Sequence, residues 1–160
     1  EEIKKKLIFI DGGSERWQSS LNGIKMATGE IVAIHDAARP LVTAEVVKQN
    51  FLTVIETGAA VTAAPAVDSI KLVDENGFNY EAIERSKIWL AQTPQTFRRE
   101  LILQAYEKAL TANYKKMTDE SELITKFLHL PVSVVAATAE NLKITFPRDF
   151  KIAQLVAETV

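Results

Sequence analysis

The chain has 160 residues, 47% of them hydrophobic and 25% charged, with a formal net charge of -2 at pH 7. That length and apolar share describe one soluble globular domain with a sizeable core, and the slight acidic balance argues against a nucleic-acid scaffold, which carries a basic excess. The absence of cysteine removes disulfides, thiolate zinc sites and cysteine nucleophiles, and two histidines, His35 and His129, cannot build a histidine-rich metal centre.

Any metal is therefore expected to be a hard, oxygen-bound ion such as magnesium. No apolar run approaches the ~20 residues of a membrane span, and no secretory signal is visible. A cytosolic compartment is the expectation. The chain opens Glu1-Glu2-Ile3-Lys4-Lys5-Lys6 without a methionine, so residue 1 is not expected to be where the natural protein begins.

In chain order, Leu7 to Asp11 reads as a strand, followed by Gly12-Gly13-Ser14 and a helix from about Glu15 to Ala27 with Ser14 as its N-cap. Ile31 to His35 is the next strand: short, apolar and β-branched. Thr43 caps a helix to about Glu56, with Val46, Val47, Phe51, Val54 and Ile55 on one face and Gly58 closing it. Ala59 to Val67 is a further buried strand.

Ser69 to Val73 and Phe78 to Ile83 then alternate polar with apolar around Asp74-Glu75-Asn76-Gly77, and Asn-Gly is a strong hairpin signal. Alternation means one wet face, so this hairpin is expected to project from the main sheet. A two-stranded arm is marginal alone and needs a partner surface, on a second copy or on its own chain. Ile88 to Gln92 resumes the core pattern and runs into Thr93-Pro94-Gln95, before a helix from about Arg98 to Thr111. Thr118 or Asp119 caps a shorter helix through Phe127. Val132 to Ala136 and Leu142 to Phe146 read as strands, and Pro147 starts a last helix at its favoured N1 position. The alternation of strands and helices is that of an α/β sheet with covered faces.

Chemistry is sought where strands end, because ligands of open α/β sheets sit outside the carboxyl ends of the strands. His35-Asp36-Ala37-Ala38-Arg39-Pro40 follows a strand directly. Asp36 can hold a hard cation and Arg39 can make forked bonds to phosphate, although a surface ion pair around a proline turn uses the same residues. The Gly12 to Arg16 loop offers backbone N–H groups and a helix start to an anion, or is an ordinary tight turn; Arg16 and Ser19 add a cation and a hydroxyl on one helix face. Thr93 could bind a phosphate or cap a turn. Lys143, inside an apolar strand, needs a sheet edge or a site to reach into. Arg85 and Lys87 read as a charged edge after the arm. His35 is given no chemical role, Trp17 and Trp89 are read as packing residues, and Asp119 and Glu120 as helix-start acids. One carboxylate, several cations and no nucleophile with a base favour phosphoryl or nucleotidyl transfer.

Together these blocks resemble a known family. Asp11-Gly12-Gly13-Ser14-Glu15-Arg16-x-x-Ser19, His35 to Pro40, Asp68-Ser69-Ile70-Lys71, Arg85, Trp89, Gln92-Thr93-Pro94-Gln95, Thr118-Asp119-Glu120 and Asn141-Leu142-Lys143-Ile144-Thr145-x-Pro147 look like 2-C-methyl-D-erythritol 4-phosphate cytidylyltransferase, in that family's order. The resemblance implies a Rossmann-like three-layer nucleotidyltransferase fold of the nucleotide-diphospho-sugar transferase type. It also implies a protruding β-arm at about 68–87 and a homodimer joined through the arms. The implied reaction couples CTP with methylerythritol 4-phosphate and releases pyrophosphate, with magnesium, in non-mevalonate isoprenoid synthesis. Asp36 would place the metal and, with Lys143, form the catalytic pair. Gly13, Ser14 and Ser19 would contact the cytidine, with Arg16 supporting that loop. Arg39, Thr93 and Lys143 would surround the sugar phosphate, and Ser69 and Arg85 would approach it from the partner's arm. Ser69 stands where the family often has threonine. The implied location is cytoplasmic, or a plastid in a plant.

Nothing in Glu1 to Phe9 matches the family's glycine-rich loop ending in Pro-Lys-Gln, which grips the triphosphate. The chain is therefore expected to be the N-terminally truncated, C-terminal portion of the enzyme, with little or no activity alone. A ribitol-5-phosphate cytidylyltransferase and a non-catalytic nucleotide-binding or dimerisation domain are the rival readings; Ala37-Ala38 and Arg85-x-x-x-Trp89 favour the methylerythritol enzyme.

Overall fold

The computed structural model describes residues 7–158; Glu1 to Lys6 lie outside them. In chain order the elements are α1 (Arg16–Met26), β1 (Ile31–Ile34), α2 (Ala44–Thr57), β2 (Ala59–Pro65), β3 (Lys71–Val73), β4 (Asn79–Ala82), β5 (Trp89–Arg98), α3 (Arg99–Thr111), α4 (Glu120–Leu123, continued by a π turn over Ile124–Leu128), β6 (Ser133–Ala136) and α5 (Pro147–Ala157). Four strands form the central sheet in the order β1-β5-β2-β6. β2 and β6 are parallel, while β5 runs antiparallel to both β1 and β2.

The small apolar run of β2 is buried from Ala59 to Ala64 because helices cover both faces of the sheet. Ala59 packs in one cluster with Leu21 and Ile24 of α1, Ile102 and Tyr106 of α3 and Leu123 of α4. Its neighbour Ala60 points the other way, to Val54 of α2 and Val135 of β6. Alternate residues of one strand thus serve two cores, which is the three-layer arrangement. Among the described residues no helix is long and apolar enough to cross a membrane.

Two arginines where β5 meets α3 fix the helices on either side. Arg99 donates to the carbonyls of Ile24 and Lys25 at the end of α1, and Arg98 to that of Ile55 near the end of α2. α2 starts and stops as its sequence predicts, with Val46 N–H on Thr43 Oγ1 and Gly58 in the left-handed region at φ 86°. Ile55, however, is exposed, and Asn50 takes a buried place on that helix instead. Its amide donates to Thr62 Oγ1 and the Val46 carbonyl.

Several predicted elements differ. Leu7 to Asp11 forms no strand; Leu7, Ile8 and Phe9 are exposed, and the segment pairs with no strand among the described residues. Apolar β-formers give only a propensity, and a ladder partner is needed to realise it. α1 is capped at Glu15 rather than Ser14, because the Gln18 carboxamide accepts both the Glu15 N–H and the Ser14 hydroxyl. Leu142 to Phe146 is not a strand either. It crosses beside the loop after β1, where the Ile144 N–H bonds the Ala38 carbonyl. β5 is longer than expected and passes through Pro94. A proline has no ladder donor, and the β2–β5 register shifts between Val61 and Ala63 opposite it. Thr62 fills the irregularity by donating its hydroxyl to the Pro94 carbonyl.

The hairpin stands apart from the main sheet as expected: among the described residues β3 and β4 pair only with each other. Every residue of both is exposed, however, so both faces are open and not the one that alternation predicts. The Asp74 carboxylate accepts the N–H groups of Asn76 and Phe78 across the turn.

Candidate active site

The end of β1 delivers Asp36 into a ring of cations from three separate segments. Its carboxylate lies 3.1 Å from Lys143 Nζ, 3.7 Å from Arg39 Nε and 3.9 Å from an Arg16 guanidinium nitrogen. Arg39 is the most buried of the three, and burial moves its guanidinium below the usual arginine range while Asp36 opposes the shift. Its other arm donates to the Asn141 carbonyl at 2.7 Å. Asn141 is itself buried, with its amide on Gln92 Oε1 and the Thr93 carbonyl. The Asp36 loop, the middle of β5 and the segment carrying Lys143 are therefore one hydrogen-bonded unit.

Thr93 sits beneath that unit. The Asp36 N–H donates to its hydroxyl at 3.0 Å, and the same hydroxyl lies 3.0 Å from His35 Nδ1. His35 Nε2 is 3.0 Å from the Arg39 carbonyl, which only accepts. Neutral His35 therefore carries its proton on Nε2, and the Thr93 hydroxyl donates to Nδ1. Thr93 is 4% exposed and engaged in both directions within the protein.

The glycine loop is folded back onto α1. Ser19 Oγ accepts the Gly13 N–H at 3.0 Å, and Gln18 takes the Ser14 hydroxyl at 2.7 Å. A Cβ on Gly13 would lie 2.2 Å from that of Gln18, so only glycine fits this approach. Arg16, the first residue of α1, makes a forked pair with Glu120 at 2.9 and 3.0 Å. Burial disfavours its charge, but Glu120 and Asp36 outweigh that and hold its pKa above the usual value. The Tyr106 hydroxyl adds a bond to Glu120 at 3.2 Å, and burial with that carboxylate pushes the phenol well up, keeping it a neutral donor.

Of the residues picked from sequence, Asp36, Arg39, Lys143, Thr93 and Arg16 meet at one place, with Gly13, Ser14 and Ser19 in the loop leading to Arg16. Ser69 and Arg85 are exposed beside the arm; the Arg85 guanidinium donates to the Val67 carbonyl. Lys143 reaches the site from a loop, not a strand. Trp17 packs against the core, whereas Trp89 is 41% exposed. Glu120 is more than a helix-start acid: it is 1% exposed and faces Arg16, while Asp119 caps α4 through the Glu122 N–H. Nothing local in sequence distinguishes the two acids; their side chains diverge only once α4 docks.

Three cations against two carboxylates leave the cluster electropositive at a strand end, which suits a polyphosphate ligand. The family model of 2-C-methyl-D-erythritol 4-phosphate cytidylyltransferase (IspD) matches residues 2–159. The chain is 41% identical over 148 residues to the enzyme of that name from Syntrophus aciditrophicus, covering 91% of this chain and 62% of that one. It is 39% identical to that of Geobacillus thermodenitrificans, covering 96% and 67%. Among solved structures, 4-diphosphocytidyl-2C-methyl-D-erythritol synthase of Anaerococcus prevotii superposes with a TM-score of 0.88 at 29% identity, covering 98% of this chain and 72% of that one. The cytidylyltransferase of Thermus thermophilus gives 0.85 at 29% identity, covering 94% and 73%. The fold is that of the Rossmann-like nucleotidyltransferases, and the chain belongs to the 2-C-methyl-D-erythritol 4-phosphate cytidylyltransferase family.

Proposed function

We propose that the protein transfers a cytidylyl group from CTP to 2-C-methyl-D-erythritol 4-phosphate and releases pyrophosphate. The observation that carries this reading is the Asp36 carboxylate held among Arg16, Arg39 and Lys143 at the end of β1. A phosphate oxygen of the sugar attacks the α-phosphorus of CTP, the new P–O–P bond forms, and the bond to the β-phosphate breaks. The attacking oxygen is already ionised at neutral pH, so no general base is required, in keeping with a site that has none paired to a nucleophile. Arg39 and Lys143 hold the sugar phosphate against its own repulsion by the triphosphate. Thr93 fixes the Asp36 loop from below, and Gly13, Ser14 and Ser19 receive the cytidine.

Magnesium fits this donor set in one way. Among the described residues no three acidic or histidine side chains gather around a point, so those residues offer no cage. Asp36 alone offers a single hard carboxylate, which suits an ion held mainly by substrate phosphates. When bound, that ion would neutralise charge on the triphosphate.

The exposed arm supports a homodimer in which Ser69 and Arg85 approach the partner's sugar phosphate. Mixing Arg85→Ala with Asp36→Ala subunits should then restore part of the activity that each lacks alone; no restoration would assign each arm to its own site. Pyrophosphate release by the full-length protein from CTP with methylerythritol 4-phosphate, compared with ribitol 5-phosphate, tests the substrate. A ribitol phosphate preference would overturn the assignment, as would CTP binding with no turnover on either acceptor.

A further inference from the structure

We propose that Glu120 is a positioning residue for the nucleotide loop and acts through Arg16. The inference rests on the reading of Gly13, Ser14 and Ser19 as cytidine contacts. Glu120 is 1% exposed, and its two oxygens accept both arms of the Arg16 guanidinium, with Tyr106 as a third donor. An ion pair buried on its carboxylate side adds little net stability after desolvation, but its forked geometry fixes direction. What it fixes is the first residue of α1. From there Ser19 and Gln18 hold Gly13 and Ser14, so the loop has no freedom that Arg16 does not have. Arg99 secures the far end of α1 on the carbonyls of Ile24 and Lys25.

The same guanidinium approaches Asp36 only to 3.9 Å, longer than a hydrogen bond. Two carboxylates thus compete for one cation, and Glu120 wins. It is set in place independently of Arg16: Asp119 accepts the Glu122 N–H, and buried Gln95 on β5 accepts the Ser121 N–H. Without the Glu120 charge, Arg16 loses the fork that directs it, and the start of α1 and its loop lose their register.

The test measures CTP and methylerythritol 4-phosphate affinities separately by calorimetry on the full-length protein, for Glu120→Gln, Arg16→Gln and the double variant. Glu120→Gln should weaken CTP about tenfold, the size of a lost charge-assisted hydrogen bond, and leave the sugar phosphate within about twofold. Glu120→Asp should recover part of the loss, and the double variant should be no weaker than Arg16→Gln alone. Unchanged CTP affinity, additive losses, or equal weakening of both ligands would overturn the proposal. If Glu120→Gln does not fold, Arg16→Lys reads the same contact by losing the fork at a side chain that is 39% exposed; wild-type CTP affinity there overturns it. Amide exchange of residues 12–19 provides a readout without ligand. It should quicken in Glu120→Gln while residues 36–41 stay unchanged, and equal exchange refutes the role of Glu120. A wild-type protein that never binds CTP refutes the nucleotide reading instead, and the exchange result then stands alone on loop ordering.

Discussion

Asp36 and Thr93 are joined by one hydrogen bond, from the Asp36 backbone N–H to the Thr93 hydroxyl at 3.0 Å, and it ties the loop after β1 to the neighbouring strand β5. The sequence places these residues 57 positions apart. Thr93→Val keeps the shape but leaves the Asp36 N–H and His35 Nδ1 without their partner. It should cost about 1–3 kcal/mol in thermal or urea unfolding and lower turnover with it. Thr93→Ser should stay near wild type. Equal stability of the valine and serine variants would remove the hydroxyl from the account.

In the full-length enzyme, Asp36→Asn should reduce magnesium-dependent turnover by about 100-fold or more while circular dichroism stays native. The amide cannot balance Lys143 and Arg39, so both cations lose the anion that organises them. Near-normal turnover would take Asp36 out of the chemistry.

Two glycines, Gly13 in the loop and Gly23 in α1, separate loop geometry from helix propensity. Gly13→Ala must displace the loop from Gln18, and CTP affinity should fall about tenfold or more. Gly23→Ala, inside α1 with nothing within 4 Å of the new Cβ, should stabilise by about 0.5–1 kcal/mol and leave affinity unchanged. Calorimetry and melting curves on both variants check this.

Glu122 sets a pH dependence. Burial works to raise its pKa, but bonds from Tyr114 and Thr118 and the charge of Lys126 prevail and hold it below the usual carboxylate value. A carboxylate depressed in the folded state contributes stability above its unfolded pKa of about 4.3 and loses it as pH falls through the lower, folded value. The melting temperature should therefore exceed that of Glu122→Gln at pH 7, with the gap closing below about pH 4. A gap independent of pH would contradict this.

The helices, β1, β2, the projecting hairpin and the Asp36–Arg39 pair were legible because period, caps and turn residues are local signals. The proline-interrupted length of β5 was not, since tolerating Pro94 depends on the irregularity in β2 across from it. Lys143 was chosen for a strand that does not form, yet it reaches Asp36 because its loop is bonded to Ala38. The segment from Leu7 had the composition of a strand and lacks a partner among the described residues.

By itself the sequence determined which residue types stand at strand ends, because apolar runs stop where polar side chains begin. Only the tertiary structure decided that Asp36 faces cations from three segments, and that Glu120 rather than Asp36 holds Arg16. The Arg16–Glu120 pairing joins residues 104 positions apart, and it exists only once α1, α3 and α4 pack on one face of the sheet and exclude water from the carboxylate between them.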